Sequence, residues 1–397
     1  MAIRDGVEYH DATTLESIGL TSSGDWKLSG ERQGKSVVYE ADCVLDGSGK
    51  AGFLADHLGL SNQSADLPFE TSLVFGHFEN VLPTERVVEL DRVDLPAGPF
   101  PDEQAAVHHL LEEGWLYLLR FDDGLVSAGV SIDRNRPSGH SLVDGRSPDE
   151  IWKSVLSQYP TLGSQFSQAR AVRPIEMIPR VQHWLEHAAG PGWALLPHTY
   201  AFFDPMFSTG IAWSLLAVER LALIFEKQLS RGGGVPEFDR YEEILRAEAT
   251  QILNLIEGAY LAMDDFDRFC SQSFLYFATV SYVELEQRLN LDSEAIEELA
   301  WRGFLGAGSR SVECLFNDST ERLRALAVTS SSSKPPADPS SFGDWVEAEI
   351  ESRNVIGLAD SDRKNLYPVD LEVLTRRASR LGLSAQQMRS KLHLLRG

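Results

Sequence analysis

Between residues 70 and 180 several segments alternate in the manner of β-strands, which predicts an antiparallel β-sheet. The strands are expected at 71–78, 86–93, 115–121, 125–132 and 171–178. Asp122, Asp123 and Gly124 separate two of these segments and have the composition of a tight hairpin turn. Between the last two segments, a helix is expected to begin at Ser147, which precedes a proline and is a typical N-cap residue.

The apolar pattern changes from a strand period to a helix period at about residue 208. The first predicted helix is apolar on most of its sides, so we expect it to be buried, and three glycines at 232–234 are expected to end it. Further helices are expected at 237–262, 265–290, 293–303 and 310–328. Four consecutive serines and three prolines at 330–341 are typical of a linker, and a helical tail is expected after it.

Residues 1–65 have the pattern of part of an α/β domain. A short apolar strand at 43–46 is followed by Gly47, Ser48 and Gly49, and then by a helix expected over 50–58. An acidic residue at the end of a strand, followed by small residues, allows a dinucleotide to approach the backbone closely. An ordinary strand-to-helix turn has the same composition, so this motif alone leaves both interpretations open.

Composition narrows the class of protein. A length of 397 residues suffices for two or three domains with a sizeable core. The net charge of −23 disfavours nucleic acid as a partner, because phosphate binding needs Lys and Arg. There is no run of 18 uncharged apolar residues and no signal-peptide pattern, so we expect no membrane span and a cytoplasmic location. The three cysteines have neither metal nor disulfide spacing, which agrees with a reducing compartment.

One pair of histidines has a spacing that can bind metal on a helix. His183 and His187 are four residues apart, with Glu186 between them. Because no third ligand and no HExxH pattern accompany them, a solvated helix face is the preferred interpretation. We therefore expect no metal site.

Residues 192–211 carry the most informative motif. A buried strand is predicted at 193–196, a polar turn follows, and Ser208-Thr209-Gly210 is expected to cap the long apolar helix. A strand, a turn and a capped helix in this order direct free backbone N–H groups and the positive helix end at one place, where anions and electron-rich cofactor edges bind well.

The order of residues in this segment resembles the second flavin segment of FAD-dependent halogenases and related monooxygenases, which reads G-D-A-x-x-F-x-D-P-x-x-S-[ST]-G. Pro197-His198 replaces the Gly-Asp pair here. The resemblance implies FAD as cofactor and a halide site at the backbone of Thr209 and Gly210. The FAD contacts implied in this segment are His198, Asp204, Pro205, Ser208, Thr209 and Gly210.

Two further segments resemble the same family. Residues 46–49 (Asp46, Gly47, Ser48 and Gly49) are similar to its D-[AG]-[ST]-G element, which implies that they also contact FAD. Residues 113–120 resemble the W-x-W-x-I-P strand of flavin halogenases, although a half-buried strand has the same composition.

The resemblance also implies a substrate pocket, with no catalytic residue assigned. Trp115 matches the first tryptophan of the W-x-W-x-I-P strand and Tyr117 replaces the second. Phe207 stands where tryptophan-type halogenases place a glutamate directly before Ser-Thr-Gly. These three aromatic residues are expected to line the pocket.

The fold class implied is α/β (α+β): a partial glutathione-reductase-like FAD domain, an inserted antiparallel β-sheet substrate domain and a helical C-terminal region. No strand–GxGxxG–helix unit, with which FAD enzymes of this class begin, is predicted, so that unit is expected to be missing. The expected domains are the C-terminal part of the FAD domain at 1–65, the β-sheet domain at 66–190, the returning FAD segment at 191–232, a helical region at 233–329, the linker at 330–341 and the tail at 342–397.

The function implied is that of an FAD-dependent oxidoreductase of the halogenase or monooxygenase type, acting on an aromatic or other small organic substrate through a flavin hydroperoxide. Because no nicotinamide site is recognised, a separate flavin reductase is expected to supply the reduced cofactor. Two alternatives remain: a truncated, catalytically inactive flavoprotein-like scaffold, or a geranylgeranyl-reductase-like flavoprotein that reduces a double bond.

Overall fold

The structure is a computed structural model that describes residues 2–90, 100–289, 300–330, 340–358 and 370–395. The strands are β1 Thr13–Leu20, β2 Trp26–Arg32, β3 Lys35–Ala41, β4 Val44–Asp46, β5 Thr71–Glu79, β6 Val107–Leu111, β7 Gly114–Arg120, β8 Val126–Asp133, β9 Arg170–Ala171, β10 Glu176–Ile178, β11 His183–Trp184, β12 Ala189–Gly190, β13 Trp193–Leu195 and β14 Ala201–Phe202. The helices are α1 Phe53–Leu58, α2 Thr84–Leu90, α3 Pro137–Val143, α4 Pro148–Gln158, α5 Pro160–Gln165, α6 Pro197–Tyr200, α7 Thr209–Ser230, α8 Asp239–Ala262, α9 Phe266–Leu289, α10 Arg310–Ser330, α11 Ser340–Ile350, α12 Leu371–Arg376 and α13 Ala385–Lys391.

The chain divides into two compact units. Unit 1 comprises Met1–Asp66, His183–Thr250 and Ile296–Phe304. Unit 2 comprises Leu67–Gln182, Gln251–Ala295 and Leu305–Gly397. Both units contain helices and strands, so the protein has a mixed helix and sheet fold.

Unit 1 contains two small three-stranded sheets. β1, β2 and β3 form an antiparallel sheet, and Gln33 and Gly34 in the β2–β3 turn both have positive φ (51° and 76°), as a type I′ hairpin requires. In the other sheet β4 lies parallel to β13, which pairs antiparallel with β12. Asp46 at the end of β4 lies opposite Leu195 at the end of β13, so both strands end at the same sheet edge.

A buried ion pair joins helices α7 and α8 in unit 1. Arg220 and Glu248 are both fully buried and form two hydrogen bonds of 2.7 and 2.8 Å. Glu248 also accepts from the indole N–H of Trp213 (2.8 Å), and Arg220 Nε donates to the carbonyl of Ala300 (2.7 Å). Hydrogen bonds to both charged groups offset much of the cost of removing them from water.

Unit 2 is built on a six-stranded antiparallel sheet. Its strand order is β10-β5-β8-β7-β6, and β9 also pairs with β5. One sheet face and the apolar sides of α3, α4 and α5 form the core, whose fully buried members include Val74, Leu116, Ala128, Val130, Ile132 and Ile151. Ser147 caps α4 as predicted, since its hydroxyl accepts from Glu150 N and the Glu150 carboxylate accepts from Ser147 N.

The alternating pattern identified three strands of this sheet, β5, β7 and β8, and was wrong at two places. Residues 86–93 were expected as a strand, but Thr84–Leu90 is helix α2, in which Val87 is buried. The strand expected at 171–178 is divided into β9 and β10, because Pro174 between them has no N–H to donate.

Most predicted helices are confirmed, namely α4, α7, α8, α9 and α10. The helix at 50–58 is regular only from Phe53, because Gly52 has a left-handed backbone (φ 60°). The expectation that α7 is buried was wrong: Ile211 is 75% and Leu215 65% exposed. The helix at 293–303 and the linker at 330–341 lie mainly outside the described residues. Among the described helices, none has the length and apolarity to cross a membrane.

Candidate functional site

The loop after β4 is organised from the inside by Asp46. Its carboxylate accepts hydrogen bonds from Ser48 N and Leu54 N, both at 2.7 Å, and the residue is buried. The second bond satisfies an N–H in the first turn of α1, where a negative charge is also favourable. Asp46 therefore fixes the shape of the predicted cofactor loop, and both of its oxygens are engaged in doing so.

This loop contains a glycine pattern that the sequence reasoning missed. Gly47, Gly49 and Gly52 have the spacing G-x-G-x-x-G, so this letter pattern does occur in the chain, while the absence of the unit with which FAD enzymes of this class begin stays a prediction. Gly49 and Gly52 both have positive φ (64° and 60°), which glycine adopts without strain. In a dinucleotide fingerprint the helix N-terminus is open to the pyrophosphate, whereas here the Asp46 carboxylate occupies it.

The structure brings the two predicted flavin segments together. Leu196 N, directly after β13, donates to the carbonyl of Asp46 at 2.9 Å. Gly49 N donates to the hydroxyl of Thr199 in α6, also at 2.9 Å. The two segments are about 150 residues apart in the sequence and lie side by side because β4 and β13 are parallel neighbours.

Helix α7 begins at this site without a side-chain cap. Ser208 occupies the N-cap position as predicted, but its backbone is left-handed (φ 50°) and its hydroxyl makes no capping bond. Asp204 is buried and accepts from Met206 N at 3.0 Å, and Pro205 accepts from Ser208 N at 2.9 Å, so both shape the turn. The first-turn N–H groups of α7 are therefore available to an anion or an electron-rich group.

His198 lies directly against this helix end. A Cβ atom added to Gly210 would stand 2.4 Å from His198 Nε2, so the ring fits only because residue 210 is glycine. His198 Nδ1 shares a hydrogen bond of 2.9 Å with the hydroxyl of Ser214, one turn further along α7. Burial lowers the pKa of His198, which favours its neutral ring at neutral pH.

His183 belongs to the same cluster, contrary to its interpretation as part of a solvated helix face. It lies in strand β11 and is buried, and its Nε2–H donates to the carbonyl of His198 at 2.9 Å. Its Nδ1 is buried and has no hydrogen-bond partner among the described residues. A buried acceptor without a partner is costly, and the spacing to His187 gave no signal of this position.

The predicted pocket residues differ in exposure. Trp115, in β7 of unit 2, is 1% exposed, and its Nε1–H donates to the hydroxyl of Tyr260 at 3.1 Å. Tyr117 is half-buried and its ring covers Gly129, where a Cβ would meet it at 2.6 Å. Phe207 is half-buried in unit 1. Trp115 therefore supports the sheet from within, and Tyr117 is the more accessible of the two aromatic residues on β7.

Within the described residues, no group of three or more His, Cys, Asp or Glu side chains is arranged to hold a metal ion. His187 is exposed and pairs with Glu242 at 3.3 Å. The two histidines of the candidate pair thus lie in different surroundings.

The curated proteins that this chain resembles in sequence are halogenases. No family model matches. The chain is 28% identical over 253 residues to the tetracycline 7-halogenase of Kitasatospora aureofaciens, covering 57% of this chain and 43% of that protein. It is 23% identical over 356 residues to the monodechloroaminopyrrolnitrin halogenase PrnC of Pseudomonas fluorescens, covering 85% and 60%. The chain thus spans about half the length of these relatives.

Solved structures agree in fold. The halogenase PltM in complex with phloroglucinol and FAD matches with a TM-score of 0.77 at 21% identity, covering 89% of this chain and 71% of that one. The flavin-dependent brominase Bmp2 matches with a TM-score of 0.56 at 17% identity, covering 82% and 73%. In sequence this chain is similar to halogenases, and it shares its fold with solved flavin-dependent halogenases.

Proposed function

We propose that this chain acts in an FAD-dependent oxidoreductase of the halogenase or monooxygenase type, on an aromatic or other small organic substrate. The observation that carries the proposal is the uncapped N-terminus of α7, which lies against His198 and follows the Asp204–Pro205 turn. The halogenase relatives and the FAD-bound structure of the same fold support it. In this proposal unit 1 is a partial glutathione-reductase-like FAD domain and unit 2 contains the inserted substrate sheet.

The start of α7 fits FAD better than the loop after β4 does. The backbone N–H groups of Thr209 and Gly210 would hold an electron-rich edge of the flavin or a halide ion. The neutral ring of His198 adds a polar atom without a fixed charge. In the other segment, Ser48 N and Gly49 N already donate to Asp46 and Thr199. That loop would therefore let FAD lie close to the backbone, and would donate few hydrogen bonds to it.

When bound, reduced FAD supplies the electrons that activate O₂. The chain would bind and orient the cofactor and the substrate, and would exclude water from them. A separate flavin reductase would deliver the reduced cofactor, and a cytoplasmic location belongs to the same proposal. Tyr117, half-buried in unit 2, is proposed as a substrate contact of the sheet, and Phe207, half-buried in unit 1, is proposed separately as a pocket residue of its own unit. Trp115 would hold the strand of Tyr117 in place through its bond to Tyr260.

Titration of the purified chain with FAD, followed by flavin fluorescence and by thermal denaturation, tests the proposal. A ligand that binds only the folded state stabilises it by about 2.7 kcal/mol at a hundred times its Kd. We expect quenching that saturates and a melting temperature that rises with FAD concentration. If neither change is observed, the result supports the inactive-scaffold alternative and contradicts the proposal.

The variant Gly210→Ala tests where FAD binds. The added methyl group would stand 2.4 Å from His198 Nε2, so the ring must leave the helix end. We expect the Kd for FAD to rise about tenfold, equivalent to about 1.4 kcal/mol. Gly19→Ala is the matched control, because a Cβ there meets no atom within 4 Å.

The double variant Gly210→Ala with His198→Ala separates steric displacement from general damage to the fold. Removing the imidazole leaves room for the new methyl group but also removes one proposed FAD contact, so FAD affinity should recover in part relative to Gly210→Ala alone. An affinity that is the same in Gly210→Ala and in the unsubstituted chain would place the cofactor elsewhere.

A further inference from the structure

A cleft of about 540 Å³ lies in unit 2 at the end of its sheet. It is bordered by the end of β5, by the β7–β8 hairpin and by the segment after β9. Its volume is within the range of small-molecule sites. Phe121, in the hairpin, is four residues along the chain from Tyr117, which corresponds to about 13 Å in a strand. The cleft is therefore distinct from the proposed substrate contact at Tyr117.

The inner surface of the cleft is aromatic and apolar. The rings of His77 and Phe121 lie nearly parallel, with an interplanar angle of 15° and centroids 6.5 Å apart. Leu125 and Val172 complete the apolar lining. Phe121 is 49% exposed, so a large part of its ring is free to contact another molecule. A planar ring can stack on such a surface and bury it.

Two unpaired charges of opposite sign border the same cleft. Asp122 and Arg173 both line it, and neither makes a hydrogen bond or an ion pair with any other residue in the described part of the chain. The neighbouring Asp123 differs, because its carboxylate accepts from Leu125 N at 3.0 Å and so stabilises the turn. The cleft therefore offers one free anion and one free cation beside an exposed aromatic surface.

We propose that this cleft binds a small molecule that combines a planar aromatic ring with an ammonium and a carboxylate group. The ring stacks on Phe121 and His77, the ammonium pairs with Asp122, and the carboxylate pairs with Arg173. Exposed ion pairs contribute little affinity, so the ring contact supplies most of the binding and the two charges select the ligand.

Isothermal titration with three probes tests this inference: phenylalanine, 2-phenylethylamine and 3-phenylpropionate. We expect phenylalanine to bind tightest, because only it carries both charges. Phe121→Ala should weaken its binding about tenfold. Phe266→Ala is the matched control, since Phe266 is an exposed phenylalanine of unit 2 outside the cleft, and it should leave binding unchanged.

The charge variants give a readout that loss of folding cannot imitate. Asp122→Asn should weaken the two amines and leave 3-phenylpropionate unaffected. Arg173→Gln should weaken the two carboxylates and leave 2-phenylethylamine unaffected. If Phe121→Ala fails to fold by circular dichroism, Phe121→Leu keeps an apolar side chain and should still weaken binding.

Three results would overturn the inference. One is that no probe binds at millimolar concentration. Another is equal weakening by Phe121→Ala and Phe266→Ala, which indicates non-specific contact. The third is that Asp122→Asn and Arg173→Gln affect all three probes alike.

Discussion

The sheet of unit 2 and helix α7 of unit 1 are both rich in apolar residues, yet they bury them to very different extents. Leu116, Val130 and Ile132 on the unit 2 sheet are completely buried under α3, α4 and α5. On α7, by contrast, Ile211, Leu215 and Val218 form an exposed stripe on the side opposite the buried Trp213 and Arg220. Within the described residues, helices cover the sheet face of unit 2, whereas this side of α7 stays exposed.

Each unit is consequently stabilised internally by a different kind of interaction. Unit 2 depends on apolar packing across one sheet face. In unit 1 the sheets are small, and the ion pair of Arg220 and Glu248 joins α7 to α8 through buried polar contacts. Unit 1 should therefore be sensitive to loss of single charges, and unit 2 to loss of single methyl groups.

The largest effect is expected for Glu248→Gln. It leaves the Arg220 guanidinium buried without a counter-charge, which costs about 3–5 kcal/mol of unfolding free energy. Urea denaturation followed by tryptophan fluorescence measures the change. Glu226→Gln on the exposed side of α7 is the control and should be neutral. A loss below about 1 kcal/mol would contradict the view that this pair stabilises unit 1.

Leu116→Ala in the unit 2 sheet should cost about 2–5 kcal/mol, since it leaves a cavity in a fully buried position. Leu215→Ala on α7 removes the same atoms from a mostly exposed position and should stay within about 0.5 kcal/mol. Both variants are compared by urea denaturation. Equal losses would mean that another surface covers the α7 stripe in solution.

The two helix N-termini give a smaller contrast. Ser147→Ala removes the capping box of α4 and should destabilise unit 2 by about 1 kcal/mol. Ser208→Ala should have little effect, because the Ser208 hydroxyl makes no capping bond at α7. Thermal denaturation of the two variants side by side tests this, and a similar loss in both would show that Ser208 also caps its helix.

The smallest effect concerns His57 in unit 1. Its two ring nitrogens lie 2.8 Å from the carbonyl of Phe53 and 3.0 Å from that of Glu16, so only the protonated ring can donate to both, and these contacts raise its pKa. Its contribution to stability is thus present below the ordinary pKa of 6.5 and is lost as pH rises through the higher folded value. We expect a small fall in melting temperature above that pH, absent in His57→Gln.

Much of the fold and part of the site followed from local patterns. The apolar patterns of β5, β7 and β8 and the capping residues of α4 were sufficient, because each depends on neighbours in the sequence. The prediction at 86–93 was wrong because two valines in a row fit a strand or a helix equally well. At the site, Ser208-Thr209-Gly210 was recognised as a helix start, whereas the buried position of His183 had no local signal.

The sequence by itself determined the elements that depend on nearest neighbours: the turns, the helix starts and the two segments that resemble flavin-binding motifs. Only the tertiary structure decided what those segments do to each other. It placed β4 beside β13, engaged both oxygens of Asp46, set the His198 ring against Gly210 and left α7 exposed on one side. The physical reason is that burial and hydrogen bonding between distant residues depend on which surfaces meet, and residue spacing along the chain carries no record of that.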